Sequence, residues 1–113
     1  ASIAPSIGGT LDFYHTLTSL SGTLEIAGDA TGCGKVKFRQ NQDISGLTLK
    51  IADVSKFDGT KKSKFYQIVD APNGIAGKFK KAADFPADWG IKYSADGKSV
   101  YVHHLNGIVI SIK

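Results

Sequence analysis

Alternating apolar and polar residues mark short strands along the first half of the chain. Four segments begin at a glycine and carry apolar side chains at every second position, the period of a strand that buries one face. The leading glycines recur at nearly equal intervals. This short period predicts strands that stack on one another, because one short strand cannot bury its own apolar face. The segments are Gly9-Thr10-Leu11-Asp12-Phe13, Gly22-Thr23-Leu24-Glu25-Ile26, Gly34-Lys35-Val36-Lys37-Phe38 and Gly46-Leu47-Thr48-Leu49-Lys50-Ile51.

The spacing also permits a simpler arrangement. The linking stretches 27–32 and 40–43 are rich in Gly, Asn and Asp, which favour turns. A strand plus its turn takes about 8–12 residues, so an antiparallel meander would give similar intervals. The fourth segment also slips by one residue, since Leu47 follows its glycine directly whereas Leu24 lies two residues after Gly22.

A different pattern begins in the second half. Residues 53–64 are polar and lysine-rich and predict a loop, after which 65–69 and 75–79 predict strands. Residues 80–88 could hold one helical turn. Strands at 89–93 and 99–103 flank the hairpin signal Asp96-Gly97, Asn106-Gly107 gives a second turn, and 108–112 are apolar at nearly every position.

These patterns predict a single all-β domain over residues 1–113. We divide it into glycine-led strand repeats (1–52), the polar loop (53–64) and a closing antiparallel sheet (65–113). A stacked, solenoid-like first half is the favoured architecture, and an antiparallel β-sandwich is the alternative.

Composition supports one folded domain and gives no sign of a membrane span. The chain is 42% hydrophobic and 21% charged, and it contains no apolar run long enough for a transmembrane helix. It lacks methionine, and its N-terminus has no basic region followed by an apolar core. We therefore expect a processed or excised piece of a longer polypeptide.

The net charge of +4 belongs to the second half of the chain. Residues 1–55 carry four basic and five acidic side chains, whereas 56–113 carry ten lysines and five aspartates. Specific nucleic-acid readout favours arginine, so we predict no nucleic-acid partner and interpret most lysines as a solvated face. Trp89 shares a strand face with Ile91 and Tyr93, which favours a core position for it. The candidate contacts to a glycan or another anionic surface are nevertheless Lys61, Lys62, Lys64, Lys80, Lys81, Trp89 and Tyr101.

No pattern of residues predicts catalysis, a cofactor or a bound metal. His103 and His104 are adjacent and should point to opposite faces of a strand, and His15 is remote in sequence. No serine lies in a Gly-x-Ser-x-Gly elbow. Cys33, the single cysteine, lies between two glycines and fits a small buried or turn residue better than a reactive thiol. We predict a non-enzymatic protein.

Two stretches are similar to a known family. Residues 22–38, Gly-Thr-Leu-Glu-Ile-Ala-Gly-Asp-Ala-Thr-Gly-Cys-Gly-Lys-Val-Lys-Phe, resemble the autotransporter-associated β-strand repeats of bacterial surface proteins. Stretches within 65–93 resemble the segment that closes such arrays. The resemblance implies right-handed parallel β-helix rungs with a terminating cap, upstream repeats in the same polypeptide, and export to the cell surface or medium. It implies no catalytic residues.

The function predicted from the sequence is thus a structural or adhesive terminal module of an exported bacterial surface protein. The alternative is a carbohydrate-binding β-sandwich module that recognises an anionic polysaccharide or another cell-surface ligand.

Overall fold

The computed structural model describes residues 2–18, 20–29, 32–52 and 65–104, and these are all-β. No helix in this part of the chain is long and apolar enough to cross a membrane. The predicted loop at 53–64, the turn Asn106-Gly107 and the strand at 108–112 lie outside the described residues. The strands are β1 (Ser2–Ile3), β2 (Thr10–Phe13), β3 (Gly22–Ile26), β4 (Lys35–Phe38), β5 (Gln42–Asp43), β6 (Leu47–Ile51), β7 (Phe65–Asp70), β8 (Ile75–Ala76), β9 (Lys80–Lys81), β10 (Trp89–Tyr93) and β11 (Ser99–His104).

The strands of the described residues form three sheets. The first has the order β1-β3-β6-β9, and all its pairs are parallel. The second has the order β10-β11-β7-β4-β2; its β2, β4 and β7 are parallel, whereas β7, β11 and β10 are antiparallel. The third sheet is the parallel pair β5-β8. The predicted closing sheet is therefore continuous with the repeat strands, because β7 belongs to both.

All four glycine-led segments are strands, as predicted, but consecutive segments do not pair with each other. β2 and β4 lie in the second sheet, and β3 and β6 lie in the first. Thr10 is the register partner of Lys35 and Thr23 that of Thr48, so each pair joins residues 25 apart. One glycine interval therefore takes the chain from one sheet to the other, and two intervals return it to the same sheet. The antiparallel meander is wrong for this region, and the antiparallel sandwich is not confirmed.

Pairing also explains the slip in the fourth segment. Gly22 is the register partner of Leu47, which places Leu24 opposite Leu49 and Ile26 opposite Ile51. The apolar side chains of the two strands therefore lie in line, although their distances from the preceding glycine differ.

The core lies where the inward faces of the sheets meet. Leu24, Val36 and Leu49 have no exposed surface, and Trp89 is 3% exposed. Full burial of one such aliphatic side chain contributes about 1.5–3 kcal/mol. The remaining buried apolar residues are Ile26, Phe38, Ile44, Leu47, Ile51, Tyr66, Ile68, Val69, Ala71, Phe79, Val100 and Val102.

Two of the leading glycines are required because neighbouring backbone comes very close. A Cβ at Gly46 would lie 2.3 Å from the carbonyl oxygen of Leu20, and one at Gly34 would lie 2.6 Å from that of Pro5. Each contact joins parts of the chain far apart in sequence, so these glycines permit close stacking.

A buried glutamine links the third sheet to the preceding part of the chain. Gln42 is 1% exposed. Its amide accepts a hydrogen bond from the Leu17 N–H and donates one to the Leu17 carbonyl, both at 2.8 Å. The side chain therefore satisfies backbone groups as a paired strand would. Alongside it, the Thr16 hydroxyl donates to the carbonyl of Asn41.

The second half confirms the hairpin and corrects two other predictions. β10 and β11 pair antiparallel, and Gly97 adopts a φ of 71° in the turn between them. The helical turn predicted within 80–88 is wrong at its start, because Lys80–Lys81 pairs with the free edge of β6 as β9. The strand predicted at 75–79 is only Ile75–Ala76, and its partner is Gln42–Asp43, a stretch whose composition predicted a turn.

Candidate ligand-binding surface

The predicted contact residues that the structure describes lie on two different sheets. Lys61, Lys62 and Lys64 lie outside the described residues. Lys80 and Lys81 are exposed on β9, the edge of the first sheet. Tyr101 lies on β11 in the second sheet.

Trp89 does not fit the contact role predicted for it. Its side chain is 3% exposed, and its ring packs near Tyr66 and His104, with centroids 6.1 Å and 5.8 Å away. Ile91 and Tyr93 on the same strand pack against the core as well. The alternation within β10 therefore predicted its position correctly, and a buried indole leaves no free face for a sugar ring.

Three side chains form an aromatic patch on the outer face of the second sheet. Phe65 of β7 and His103 of β11 are register partners, and their stacked ring centroids are 4.5 Å apart. Tyr101 meets Phe65 edge to face at 6.2 Å. Phe65 is 44% exposed, whereas the next residue, Tyr66, is buried. Phe65, Tyr101 and His103, called the aromatic patch below, present ring surface to solvent.

Polar side chains continue this face across the sheet. The Lys35 ammonium donates a hydrogen bond to Gln67 Oε1 at 3.3 Å, and the Gln67 amide donates one to the Ser99 hydroxyl at 3.1 Å. Lys92 is the register partner of Tyr101, so the two side chains share a face. Ammonium and amide groups therefore flank the aromatic patch.

A cleft of about 290 Å³ opens beside Phe65. The cleft forms because the first residues of β7 do not pair with β4. The two strands pair only between Val36 and Val69 and between Lys37 and Asp70. The described residues that line it are Gly8, Gly9, Gly32, Cys33, Lys35, Phe65, Tyr66 and Gln67.

The described lining of the cleft contains a positive charge and no carboxylate. Lys35 supplies the charge, and Gln67 supplies amide groups. Farther along the same sheet, the Asp12 carboxylate accepts two hydrogen bonds from the Arg39 guanidinium, at 2.8 and 2.9 Å. These bonds, more than the attraction between the charges, hold the pKa of Asp12 below its usual value. Asp12 is therefore an ionised carboxylate paired with its own cation.

Cys33, His103 and His104 contact different neighbours. Cys33 forms an isolated bridge with Gly28, and its thiol donates to the Gln67 carbonyl at 3.5 Å, which fits the predicted turn role. His103 stacks on Phe65 outside the sheet, whereas His104 lies against the buried Trp89, so the predicted opposite orientation is confirmed. Within the described ranges no group of three or more metal-ligating side chains occurs.

Sequence reasoning missed Phe65, His103, Lys35 and Gln67 as members of one surface. The alternation in β7 separates Phe65 and Gln67 from the buried Tyr66 and Ile68, and that signal was readable. The residues that lie beside them on the folded surface could not be predicted, because β4, β7 and β11 are distant in sequence and only strand pairing brings them together.

Comparisons with protein-family models, curated proteins and solved structures find no match to this chain. The similarity of residues 22–38 to autotransporter-associated repeats therefore stays a prediction.

Proposed function

We propose that this chain is the non-enzymatic C-terminal end of a β-solenoid in an exported bacterial surface protein, where it extends and then closes a stack of strands. A rung is defined here as a segment that visits the three sheets once, such as residues 22–46 with β3, β4 and β5. The proposal concerns a structural role, and an adhesive activity is considered separately below.

Parallel stacking in all three sheets supports the solenoid. β3 lies on β1 and β6 on β3, β4 lies on β2 and β7 on β4, and β8 lies on β5. Pairs in β1–β3 join residues 21 apart in sequence. Pairs in β2–β4 and β3–β6 join residues 25 apart, whereas pairs in β4–β7 and β5–β8 join residues 33 apart. The longer connection between β6 and β7 accounts for the difference. Crossovers between parallel strands of one sheet are right-handed in about 98% of cases, which favours the right-handed coil that the resemblance implies.

The observation that carries the terminal role is the difference between the two ends of the stack. At the first rung, β1 and β2 are sheet edges in the described structure. Of the five large apolar residues that are exposed in the described ranges, four lie there: Ile7, Leu11, Tyr14 and Leu17. Leu11 is 40% exposed although its register partner Val36 has no exposed surface. An apolar side chain in line with a buried one marks a position that another rung would cover.

The opposite end carries features that stop further stacking. Lys81 is the register partner of Leu49, so a lysine continues the line formed by Ile3, Leu24 and Leu49. Its ammonium lies 5.2 Å from the ring centroid of Phe85. A charged residue on an edge strand discourages addition of another strand. In the second sheet, the antiparallel strands β11 and β10 occupy the positions beyond β7.

The exported bacterial setting rests on the resemblance of residues 22–38 to autotransporter-associated repeats. Cysteine labelling tests this setting and the covered first rung together. Leu11→Cys and Lys98→Cys are each made in a Cys33→Ser background, in the isolated chain and in the native gene product. In the isolated chain both cysteines should react with a membrane-impermeant maleimide, because Leu11 is exposed and Lys98 lies in the hairpin turn.

On intact cells, Lys98→Cys should be labelled and Leu11→Cys should be protected by the preceding rung. Labelling of Lys98→Cys only after lysis would contradict export. Equal labelling of both cysteines on intact cells would show that nothing covers the first rung, and the terminal role would then be wrong.

A further inference from the structure

We propose that the cleft beside Phe65, together with the aromatic patch, binds an acidic oligosaccharide. Such binding would add an adhesive activity to the structural role. The two proposals have separate tests, and they meet at Gly8 and Gly9, which belong to the first rung and also line the cleft.

The exposed rings provide the apolar part of a sugar site. Phe65 is the one large apolar residue that is exposed outside residues 7–17 in the described structure. Its ring stacks on that of His103 and lies perpendicular to that of Tyr101. The C–H face of a pyranose ring packs well on such a surface, and a pre-positioned aromatic loses little conformational entropy on binding.

The charge of the cleft selects the ligand class. Lys35 is a cation in the described lining, no carboxylate accompanies it there, and Lys92 adds a second ammonium beside Tyr101. A sugar carboxylate placed near Lys35 would gain a charge-assisted hydrogen bond, whereas a neutral sugar would not. The complementary ligand is therefore a saccharide that carries uronate-type carboxylates.

The amide and the glycines complete the cleft. Gln67 already bonds Lys35 and Ser99, so its amide is oriented before a ligand arrives. Added Cβ atoms at Gly8 and Gly32 would meet nothing within 4 Å, which shows open space on this side. A volume of about 290 Å³ suits one sugar unit, and the patch outside can hold its neighbour.

The test is a titration of the ¹⁵N-labelled chain with tetragalacturonic acid, followed by NMR, with a neutral galactose tetrasaccharide as the matched ligand. We expect shifts centred on Lys35, Phe65, Gln67 and Tyr101 with the acidic ligand, and binding at least about tenfold weaker with the neutral one. Phe65→Ala and Lys35→Gln should each weaken acidic binding by about tenfold, the effect of losing roughly one stacking contact or one charged hydrogen bond.

Two control variants separate this site from general charge attraction. Tyr14→Ala removes an exposed aromatic from the first rung, and a Lys80→Gln/Lys81→Gln double variant removes the lysines of β9. Both should bind like the native chain. Each of three results would overturn the proposal: no shifts at 10 mM ligand, equal binding of acidic and neutral ligands, or a larger loss from the Lys80 and Lys81 double variant than from Phe65→Ala.

Discussion

Replacing Leu24 by alanine tests the line of apolar side chains inside the first sheet. Leu24 has no exposed surface and lies between its register partners Ile3 and Leu49. Truncation removes three buried carbons at about 0.8 kcal/mol each, or roughly 2.4 kcal/mol. The cavity left between two neighbouring strands adds to this cost, and measured Leu→Ala changes at buried sites run from about 2 to 5 kcal/mol.

Leu11→Ala is the matched control, because Leu11 also lies two residues after its glycine but is 40% exposed. It should cost about 1 kcal/mol or less. Urea unfolding followed by fluorescence of the single, buried Trp89 measures both variants. With a slope of about 1–3 kcal/mol/M, Leu24→Ala should lower the midpoint by about 1–2 M. Equal midpoints for the two variants would refute the inward assignment, as would an unchanged melting temperature for Leu24→Asp.

Three further outcomes are expected in urea unfolding. Gly46→Ala should destabilise the protein by about 1–3 kcal/mol, because the added Cβ would overlap a backbone carbonyl. Gly32→Ala should be nearly neutral, because a Cβ there would meet open space. A larger loss of stability from Gly32→Ala than from Gly46→Ala would contradict close stacking. Gln42→Leu should cost about 1–3 kcal/mol by leaving the Leu17 backbone unpaired, and no loss would refute that role. Hydrogen bonds from a serine hydroxyl and a backbone N–H lower the pKa of Asp96 from 3.8. The stabilising effect of the ionised carboxylate is therefore present above that pH and lost as the pH falls. Between about pH 5 and pH 2.5 the urea midpoint of the native chain should drop more than that of Asp96→Asn, and parallel curves would contradict the hairpin contact.

The strands of the first half could be predicted because apolar and polar residues alternate along them, and this alternation corresponds to the buried and outer faces of each strand. Leu24 and Ile26 face the core while Thr23 and Glu25 lie outside, and the same holds for Val36 and its neighbours. Alternation identifies a buried face, but it does not identify the partner strand. Equal spacing made consecutive segments look like neighbours, whereas each pairs with the segment after the next.

Short strands escaped prediction because tertiary pairing created them. Lys80–Lys81 has no apolar signal, and Gln42–Asp43 has a turn-like composition, yet each completes a parallel pair with an available strand edge. The surface around Phe65 escaped for the same reason, since its members come from separate strands. The hairpin at Asp96-Gly97 was predicted correctly because its signal is local, a glycine that adopts positive φ between two apolar strands.

Tandem duplication measures the stacking period, the central claim, most directly. Repeating residues 22–46 inserts one complete rung. The second copy begins directly after Gly46, so its Gly22 occupies the position that Leu47, the register partner of Gly22, holds in the native chain. Repeating residues 22–33 inserts only the part of a rung that contains β3, and it moves every later strand to the wrong sheet. If rungs stack with nearest-neighbour interfaces, the full-rung duplication should fold with an equal or higher urea midpoint, and the partial one should be strongly destabilised. Unfolding of the full-rung duplication, or equal stability of the two, would contradict the account.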